Sequence, residues 1–352
     1  MSKDPHVIDL PKKVIIGNKV LERLPEIIRE MGDYRRIHVV TGPHVKRIAG
    51  EVVLEGLSRQ GIDFEVSIIN SPTLQEAEAV LDEVRAFRPE LVVGLGGGKA
   101  VDAGKYVAAK MKIPFVSAPT SASHDGIASP FVSLLGGGRV TSEKAMPPLA
   151  IVADVGVIST APKRLLRAGA GDLIGKFTAV LDWRLAHRLK GEYYGAYAAS
   201  LSLLSAKHVL AASEVIGGGS SEAVRIVIEG LVSSSVAMCI AGSTRPASGS
   251  EHLFSHALDI VAHYPALHGE EVAVGSIMMA YLHGKNWKRL RRAAEAIGLP
   301  TTAKELGVKD TDIIEALVMA HKIRPERYTI LGESGLTYEA AERLAQKTGV
   351  IE

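Results

Sequence analysis

Residues 90–111, ELVVGLGGGKAVDAGKYVAAKM, decide the fold of this chain. The apolar run LVVGLGGG (91–98) ends in glycines, and a helical pattern follows it. Glycines let a backbone approach a phosphate closely, and a helix N-terminus presents free N–H groups and a positive dipole end to it. The stretch therefore predicts a strand, a tight turn and a helix, an arrangement that can cradle a pyrophosphate.

The glycine turn does not match the standard phosphate-binding motifs. A G-x-G-x-x-G motif starting at Gly94 needs glycine where Lys99 stands, and a P-loop needs Ser or Thr where Ala100 stands. A plain strand–helix turn without a ligand is therefore an equal alternative on this motif alone. Asp102 follows on the first helical turn, where an acid can simply complement the helix dipole.

The elements around this turn alternate between strands and helices. Apolar strand patterns are IHVVTG (37–42), FEVSIIN (64–70), IPFVSAPTS (113–121) and LAIVADVGVI (149–158), with helical patterns between them, such as 75–87, and a hairpin at 131–142. Beyond Pro162 the pattern is helical, as in 165–189, 194–215, 223–241 and 312–321. We expect a Rossmann-like parallel α/β domain over residues 1–160 and an all-α domain over 161–352.

Composition narrows the class of protein. The 352 residues carry 41 Lys and Arg against 39 Asp and Glu, a net charge of +2 that gives no reason to expect nucleic acid as a partner. The single cysteine, Cys239, cannot form a disulfide within the chain and cannot build a cysteine-rich zinc site. We find no apolar run long enough to span a bilayer and expect a cytoplasmic protein.

A second polar segment follows a predicted strand at APTSASHDGIASP (118–130). Ligands of open α/β sheets bind outside the carboxyl ends of strands. Two successive strand ends rich in glycine and small hydroxyls therefore favour a nucleotide site. His124 and Asp125 fit either a chemical role or an ordinary turn.

Four of the 12 histidines lie in 249–270, GSEHLFSHALDIVAHYPALHGE. His252 and His256 share one face of a predicted helix, His263 is expected to cap it or line a surface, and His268 begins a new element. Glu251 precedes the first histidine, so the H-E-x-x-H motif of metallopeptidases is absent.

A carboxylate for a metal site is available in RAGAGDLIGKF (167–177). Asp172 stands among glycines at an expected helix start, where it is either a ligand or an N-cap. Two histidines and one aspartate with open positions suit catalytic zinc or ferrous iron.

The motifs GLGGGKAVDAGKY, PTSASHDGIASP, AGDLIGK, GSEHLFSHALD and HGEEVAVG occur in the order and spacing of the archaeal sn-glycerol-1-phosphate dehydrogenases. The chain resembles this family, part of the superfamily of iron-containing alcohol dehydrogenases and dehydroquinate synthases, over nearly its whole length. The resemblance implies a dehydroquinate synthase-like fold and NAD(P)H-dependent reduction of dihydroxyacetone phosphate to sn-glycerol 1-phosphate, for archaeal phospholipid synthesis.

The resemblance also implies roles for individual residues. Asp172, His252 and His268 would hold one zinc ion per chain, and Asp125, Asp172 and His256 would contact the substrate. The cofactor contacts would be Gly96, Gly97, Gly98, Lys99, Ala100, Val101, Asp102, Thr120, Ser121, Ala122, Ser123 and Ser129. A proton would reach the substrate oxygen through His256 or Asp125.

Cofactor choice can be read in part from the strand at 37–42. It ends without the acid that would reject a 2′-phosphate, and Lys46 and Arg47 follow, so we expect both NADH and NADPH to be used. The expected partners are a small phosphorylated substrate and further copies of the chain, without nucleic acid.

Rival functions differ in substrate or class. A glycerol or other polyol dehydrogenase would share the metal and cofactor but take an unphosphorylated substrate. Dehydroquinate synthase chemistry and a metal-dependent hydrolase without a dinucleotide are further alternatives. A nucleotide-binding protein with structural zinc is excluded, because one cysteine cannot close such a site.

Overall fold

A parallel sheet organises the N-terminal part of the chain, in a computed structural model that describes residues 6–137 and 139–352. The described strands are β1 Lys13–Gly17, β2 Arg36–Thr41, β3 Asp63–Ile68, β4 Leu91–Gly96, β5 Phe115–Pro119, β6 Phe131–Gly136, β7 Arg139–Lys144 and β8 Ala150–Asp154. Six of them form one sheet in the order β1-β8-β5-β4-β2-β3, with every pairing parallel. The predicted Rossmann-like sheet is confirmed.

Helices cover the sheet and then make up the C-terminal part. They are α1 Leu24–Met31, α2 Pro43–Val45, α3 Glu51–Arg59, α4 Leu74–Phe87, α5 Gly98–Met111, α6 Val155–Ser159, α7 Lys163–Lys190, α8 Ala196–Ala211, α9 Ser213–Gly218, α10 Ser221–Ala241, α11 Ser250–Ala262, α12 His268–Leu282, α13 Trp287–Ile297, α14 Ala303–Leu306, α15 Asp310–Ile323 and α16 Tyr338–Lys347. Short single turns lie at Leu21–Arg23, Lys46–Gly50 and Asp125–Ile127. The change from strands to helices falls near residue 160, as predicted.

Both faces of the sheet are buried, which explains why its central strands are apolar without alternation. Val93 of β4 packs in a cluster with Leu24 of α1, on one face. Val92, its neighbour, packs in a cluster with Val107 of α5, on the other face. Because β4 and β5 are adjacent, the glycine turn and the polar segment 118–130 meet at the same edge of the sheet.

The sheet and the helical part share a hydrophobic core. One cluster contains Ile151 of β8, Leu173 of α7, Val227 of α10 and Ile277 of α12. A second cluster lies within the helical part, around α11, α12, α15 and α16. The division into domains at residues 1–160 and 161–352 stays a prediction, and the packing is continuous across it.

Three local predictions differ from the structure or reach its limits. The strand β1 was not predicted, and it is defined by its pairing with β8. The predicted helix 194–215 is two helices, because the backbone at Ala212 leaves helical geometry (φ −96°, ψ 15°). The hairpin is formed by β6 and β7, while Gly138 of its predicted glycine turn lies outside the described residues.

The expectation that no apolar run is long enough to span a bilayer was wrong. The helix α10 spans 21 residues with a mean hydropathy of 1.7, enough to cross a bilayer on those two criteria. More than half of it, 56%, is buried in the protein interior, where Val227 and Leu231 are fully enclosed. Packing in the core explains its apolar sequence. Cys239 lies on the same helix and is buried, as a small apolar residue would be.

Candidate active site

A cavity of about 630 Å³ lies between the carboxyl edge of the sheet and the helical part. Its walls combine the glycine turn, the segment after β5, the β6–β7 hairpin and the histidine-bearing helices α11 and α12. Of the predicted site residues, those that line it are Gly97, Gly98, Lys99, Asp102, Ser121, Ser123, Asp125, Ser129, His252, His256 and His268. Most of the predicted nucleotide residues and both metal-group histidines therefore face one common space, whereas Gly96, Ala100, Val101, Thr120, Ala122 and Asp172 do not line it.

The glycine turn lies close to the side chain of His124. An added Cβ at Gly98 would lie 2.1 Å from Nε2 of His124, so a larger residue requires the His124 side chain to move. Lys99 Nζ donates a 2.8 Å hydrogen bond to the Asn70 carbonyl. Ala100 and Val101 do not line the cavity, because their side chains are buried in the core cluster on α5.

The segment after β5 is tied to the glycine turn. Thr120 donates from its backbone N–H to the carbonyl of Gly96 at 2.9 Å, which joins the two strand ends. Ser121, Ser123 and Ser129 line the cavity beyond this bond. Ala122 is buried in the core instead, so only its backbone is available to a ligand.

Asp102 is buried and faces Lys105 across 3.4 Å. Burial raises the pKa of Asp102 and lowers that of Lys105, although each charge partly offsets the effect on the other. Lys105 Nζ also donates to the carbonyls of Gly126 and Phe131, at 2.6 and 2.9 Å. This pair therefore fastens the turn at 125–131 to α5, a role beyond complementing the helix dipole.

Asp172, His252 and His268 form a group suited to a metal ion. One ligand atom from each lies within 4.8 Å of the others. The carboxylate comes from α7, and the two imidazoles come from α11 and the start of α12. The placement of Asp172 corrects one expectation: it lies well inside α7, which begins at Lys163, and is neither at a helix start nor an N-cap.

The glycines around Asp172 bring these elements together. A Cβ on Gly171 would lie 2.1 Å from the carbonyl oxygen of Gly269, and a Cβ on Gly269 would lie 1.8 Å from that of Ala168. A Cβ on Gly169 would lie 2.0 Å from the carbonyl oxygen of Ala122. The helices α7 and α12 and the segment after β5 thus pack backbone to backbone, which places the three ligands side by side.

Buried polar groups orient both histidines of the metal group. Nδ1 of His252 lies 2.8 Å from Oε1 of Glu251, whose other oxygen accepts from Thr178 at 2.7 Å. Nδ1 of His268 lies 3.1 Å from Oγ of Ser255, which donates to Glu271 at 2.6 Å. Since each Nδ1 has a partner, each Nε2 is left for the metal, the arrangement common at histidine metal sites.

Lys176 is fully buried between two carboxylates, of which Asp125 lines the cavity. Its Nζ is 2.6 Å from Oδ1 of Asp172 and 2.8 Å from Oδ2 of Asp125. Burial alone would lower the pKa of Lys176, but the two carboxylates outweigh it and raise that pKa. For Asp172, burial opposes ionisation, yet Lys176 and His252 hold its pKa well below the ordinary value.

His256 lies beside the metal group without joining it. Its ring stacks on that of His268 with centroids 5.6 Å apart, and it lines the cavity. Among the described residues its Nδ1 has no hydrogen-bond partner. Burial lowers the pKa of His256, so its imidazole is neutral near pH 7. His263 ends α11 in the left-handed conformation (φ 56°), as a cap.

Sequence reasoning missed several residues that the geometry brings to the site. They are Lys176, Glu251, Ser255, Glu271 and Arg324. The spacing of Asp172 and Lys176 at i and i+4 on a helix could have indicated the first. Nothing in the sequence pattern points to Arg324, which reaches the cavity from the far end of α15.

Comparisons with known proteins agree with this geometry. Residues 15–162 match the family model described as iron-containing alcohol dehydrogenase. The curated glycerol-1-phosphate dehydrogenase, NAD(P)+, of Hyperthermus butylicus is 57% identical over 98% of this chain and 99% of its own. The glycerol-1-phosphate dehydrogenase, NAD(P)+, of Aeropyrum pernix is 56% identical over 98% of this chain and 99% of its own. The chain belongs to the glycerol-1-phosphate dehydrogenase family.

Solved structures of other dehydrogenases share the fold. A probable glycerol dehydrogenase from Sinorhizobium meliloti has a TM-score of 0.79 at 21% identity, covering 99% of this chain and 100% of its own. Glycerol dehydrogenase from Schizosaccharomyces pombe has a TM-score of 0.76 at 20% identity, covering 100% and 94%. The glycerol-1-phosphate dehydrogenase family therefore shares its architecture with dehydrogenases from bacteria and fungi.

Proposed function

We propose that the protein is a zinc-dependent dehydrogenase that reduces dihydroxyacetone phosphate to sn-glycerol 1-phosphate with NADH or NADPH. Its product would supply the backbone of archaeal membrane phospholipids. The observation that carries the proposal is one cavity lined by the glycine turn and by His252 and His268, the two imidazoles that form a metal-binding group with the buried Asp172. Full-length relatives at 49–57% identity bearing this activity in their names support the choice of substrate.

The donor set fits zinc in this proposal. Two imidazoles with their Nδ1 atoms engaged and one ionised carboxylate leave a coordination position open, as catalytic zinc requires. Zinc held there would polarise the ketone carbonyl, and the reduced nicotinamide would supply a hydride. The remaining roles fall to the protein's own side chains.

Three of these side chains position charge and protons. Lys176 keeps Asp172 ionised and fixes Asp125 at the cavity wall. Asp125 is ion-paired with Lys176, and its Oδ2 also accepts from Ser234 at 3.3 Å. Asp125 is held by its ion pair with Lys176, whereas His256 lines the cavity beside the metal group, so we assign to His256 the relay of a proton to the substrate oxygen.

The test is an assay of substrate and metal together. Purified protein is stripped of metal with a chelator and reloaded with zinc, and NADH oxidation is followed with dihydroxyacetone phosphate and, separately, dihydroxyacetone. Zinc-dependent oxidation with the phosphate supports the proposal. Turnover of dihydroxyacetone alone would favour the polyol dehydrogenase instead, and activity that persists without metal would contradict the zinc assignment.

The proposal extends to assembly and location. We infer a homo-oligomer, supported by exposed apolar side chains on α8, where Tyr197 is 89% and Leu204 is 62% exposed. Light scattering that gives the mass of one chain would contradict this. A cytoplasmic location is supported by the use of NADH or NADPH in the proposed reaction. It is tested by fractionating source cells.

A further inference from the structure

Arg324 is a cation of the cavity wall for which the described residues provide no partner. It ends α15 and lines the cavity together with His256, Thr244 and Ser248. Within the described part of the chain its guanidinium has neither an ion pair nor a hydrogen bond, while its backbone carbonyl accepts from the N–H of Arg327, and the residue is partly buried. Its burial lowers its pKa, an effect that only Glu326 opposes, and Glu326 is an exposed side chain. An arginine in this state has its five donors available to an incoming anion.

The surroundings of Arg324 add positive charge. Arg327 is also without a carboxylate partner among the described residues, since it donates to the Ser248 carbonyl and to Thr244 Oγ1. The nearby Arg245 is neutralised by an ion pair with Glu192. A second guanidinium without an ion-paired carboxylate among the described residues therefore lies near Arg324, although Arg327 does not itself line the cavity. A buried charge without a counterion is costly, so binding an anion here is favoured.

Other cations at the cavity already have partners. Lys176 is held between Asp125 and Asp172, and Lys99 donates to the Asn70 carbonyl beside the glycine turn. The glycine turn is also the part of the site suited to the nucleotide. Arg324 comes from the helical part of the chain, which also supplies the metal group, and its charge acts on His256.

We propose that Arg324 binds the phosphate group of the substrate and so selects a phosphorylated ketone over its unphosphorylated analogue. The planar guanidinium suits this role, because its paired N–H groups match phosphate oxygens in a bidentate contact. This inference rests on the proposed function for the identity of the substrate. The inference that an anion binds at this position rests on the charges alone and does not depend on the identity of the substrate.

The experiment compares two ketones in matched variants of the zinc-loaded enzyme. Arg324→Met removes the charge and keeps the aliphatic stem, Arg324→Lys restores the charge, and Lys322→Met removes an exposed charge that does not line this cavity. kcat and KM are measured for dihydroxyacetone phosphate and for dihydroxyacetone. Inorganic phosphate is titrated calorimetrically into each variant.

For Arg324→Met we expect KM for the phosphorylated ketone to rise roughly 10- to 100-fold, as for a lost charge-assisted hydrogen bond. Its kcat/KM for dihydroxyacetone should stay within about threefold of the parent, and Arg324→Lys should recover part of the loss. Lys322→Met should behave like the parent. Equal losses on both ketones, or no change on either, would overturn the proposal.

The phosphate titration separates this inference from the proposed function. If the parent reduces neither ketone, the proposed function fails. Binding of inorganic phosphate that is lost in Arg324→Met would still support the anion site. Absence of phosphate binding to the parent, or equal binding by both proteins, would then overturn the inference as well.

Discussion

At the scale of single residues, Lys176 settles the charge state of the site. Its ammonium group touches Asp172 and Asp125, so two carboxylates and one cation are buried together with a net charge of −1. A divalent cation held by Asp172 and two neutral imidazoles would bring the sum to +1. Lys176 thus offsets one of the carboxylate charges beside the metal group.

Removing one ligand should remove the metal. We expect His268→Ala to fall from one zinc ion per chain to well below it, with loss of ketone reduction, because two ligands hold zinc poorly. Zinc content is measured by atomic emission after dialysis. His263→Asn is the control, since His263 is exposed and asparagine tolerates its left-handed backbone. Stoichiometric zinc with normal turnover in His268→Ala would make the ligand assignment wrong.

The neighbouring imidazole should behave differently. His256→Ala should keep its zinc, because His256 only stacks on His268. Its kcat should fall by roughly 10²- to 10⁴-fold, the range for lost acid–base assistance. Zinc content and turnover are measured on the same sample. Loss of zinc from this variant would identify His256 as a ligand.

At the scale of elements, backbone contact between α7 and α12 assembles the metal group. Gly269→Ala would place a Cβ 1.8 Å from the Ala168 carbonyl oxygen, so the helices must separate. We expect the free energy of unfolding of the metal-free protein to fall by roughly 1–3 kcal/mol, the usual cost of overpacking. Equilibrium urea unfolding measures it.

The control for this variant is Gly218→Ala. An added Cβ at Gly218 has no heavy atom within 4 Å, and the residue is helical. This change should be neutral or stabilise by up to about 1 kcal/mol. Equal unfolding free energies for Gly269→Ala and the parent would mean that the helices are not held in close contact.

The elements also show which features could be predicted from the sequence and which could not. The β4–α5 turn and α11 were predictable, because apolar periodicity and glycine are local signals. Asp172 was misplaced at a helix start, because glycines that serve close helix packing look the same as glycines that end elements. Arg324 and Glu271 could not be found, since their positions at the site depend on helix packing across long sequence separations.

At the scale of the whole molecule, stability should depend on pH through a residue of the sheet. His38 on β2 is 1% exposed, its Nε2 lies 2.6 Å from Ser67 Oγ, and burial lowers its pKa to about 4. In the unfolded chain the same imidazole titrates near 6.5. The contribution of neutral His38 to the free energy of unfolding is therefore complete above pH 6.5 and is lost as the pH falls towards 4. The loss is on the order of 3 kcal/mol.

Urea unfolding at pH 7 and pH 4.5 checks this dependence. His38→Leu removes the titrating group and should flatten the change in unfolding free energy between the two pH values. Its absolute stability at pH 7 is a separate quantity, because the bond to Ser67 is also lost. An identical pH dependence in parent and variant would assign the effect to other groups.

The sheet edge also bears on cofactor choice. β2 neighbours β4 and ends at Thr41, and the exposed Lys46 and Arg47 follow it, without an acid at the strand end. We expect kcat/KM values for NADH and NADPH to lie within a hundredfold of each other, because nothing there repels a 2′-phosphate. Steady-state kinetics with both cofactors measure this. A stricter preference for NADH would contradict the interpretation of this strand end.

The bond from the backbone N–H of Asp125 to Oδ2 of Asp172, 2.9 Å long, joins the segment after β5 to the metal group. It therefore connects the proposed zinc site to the segment that carries Ser121, Ser123 and Ser129, the expected cofactor contacts that line the cavity. Thermodynamic linkage then demands symmetry: the factor by which zinc changes the affinity for NADH equals the factor by which NADH changes the affinity for zinc. If this coupling is positive, a high concentration of NADH in the cell would raise the affinity of the enzyme for zinc. The enzyme would then keep its metal longer during zinc starvation.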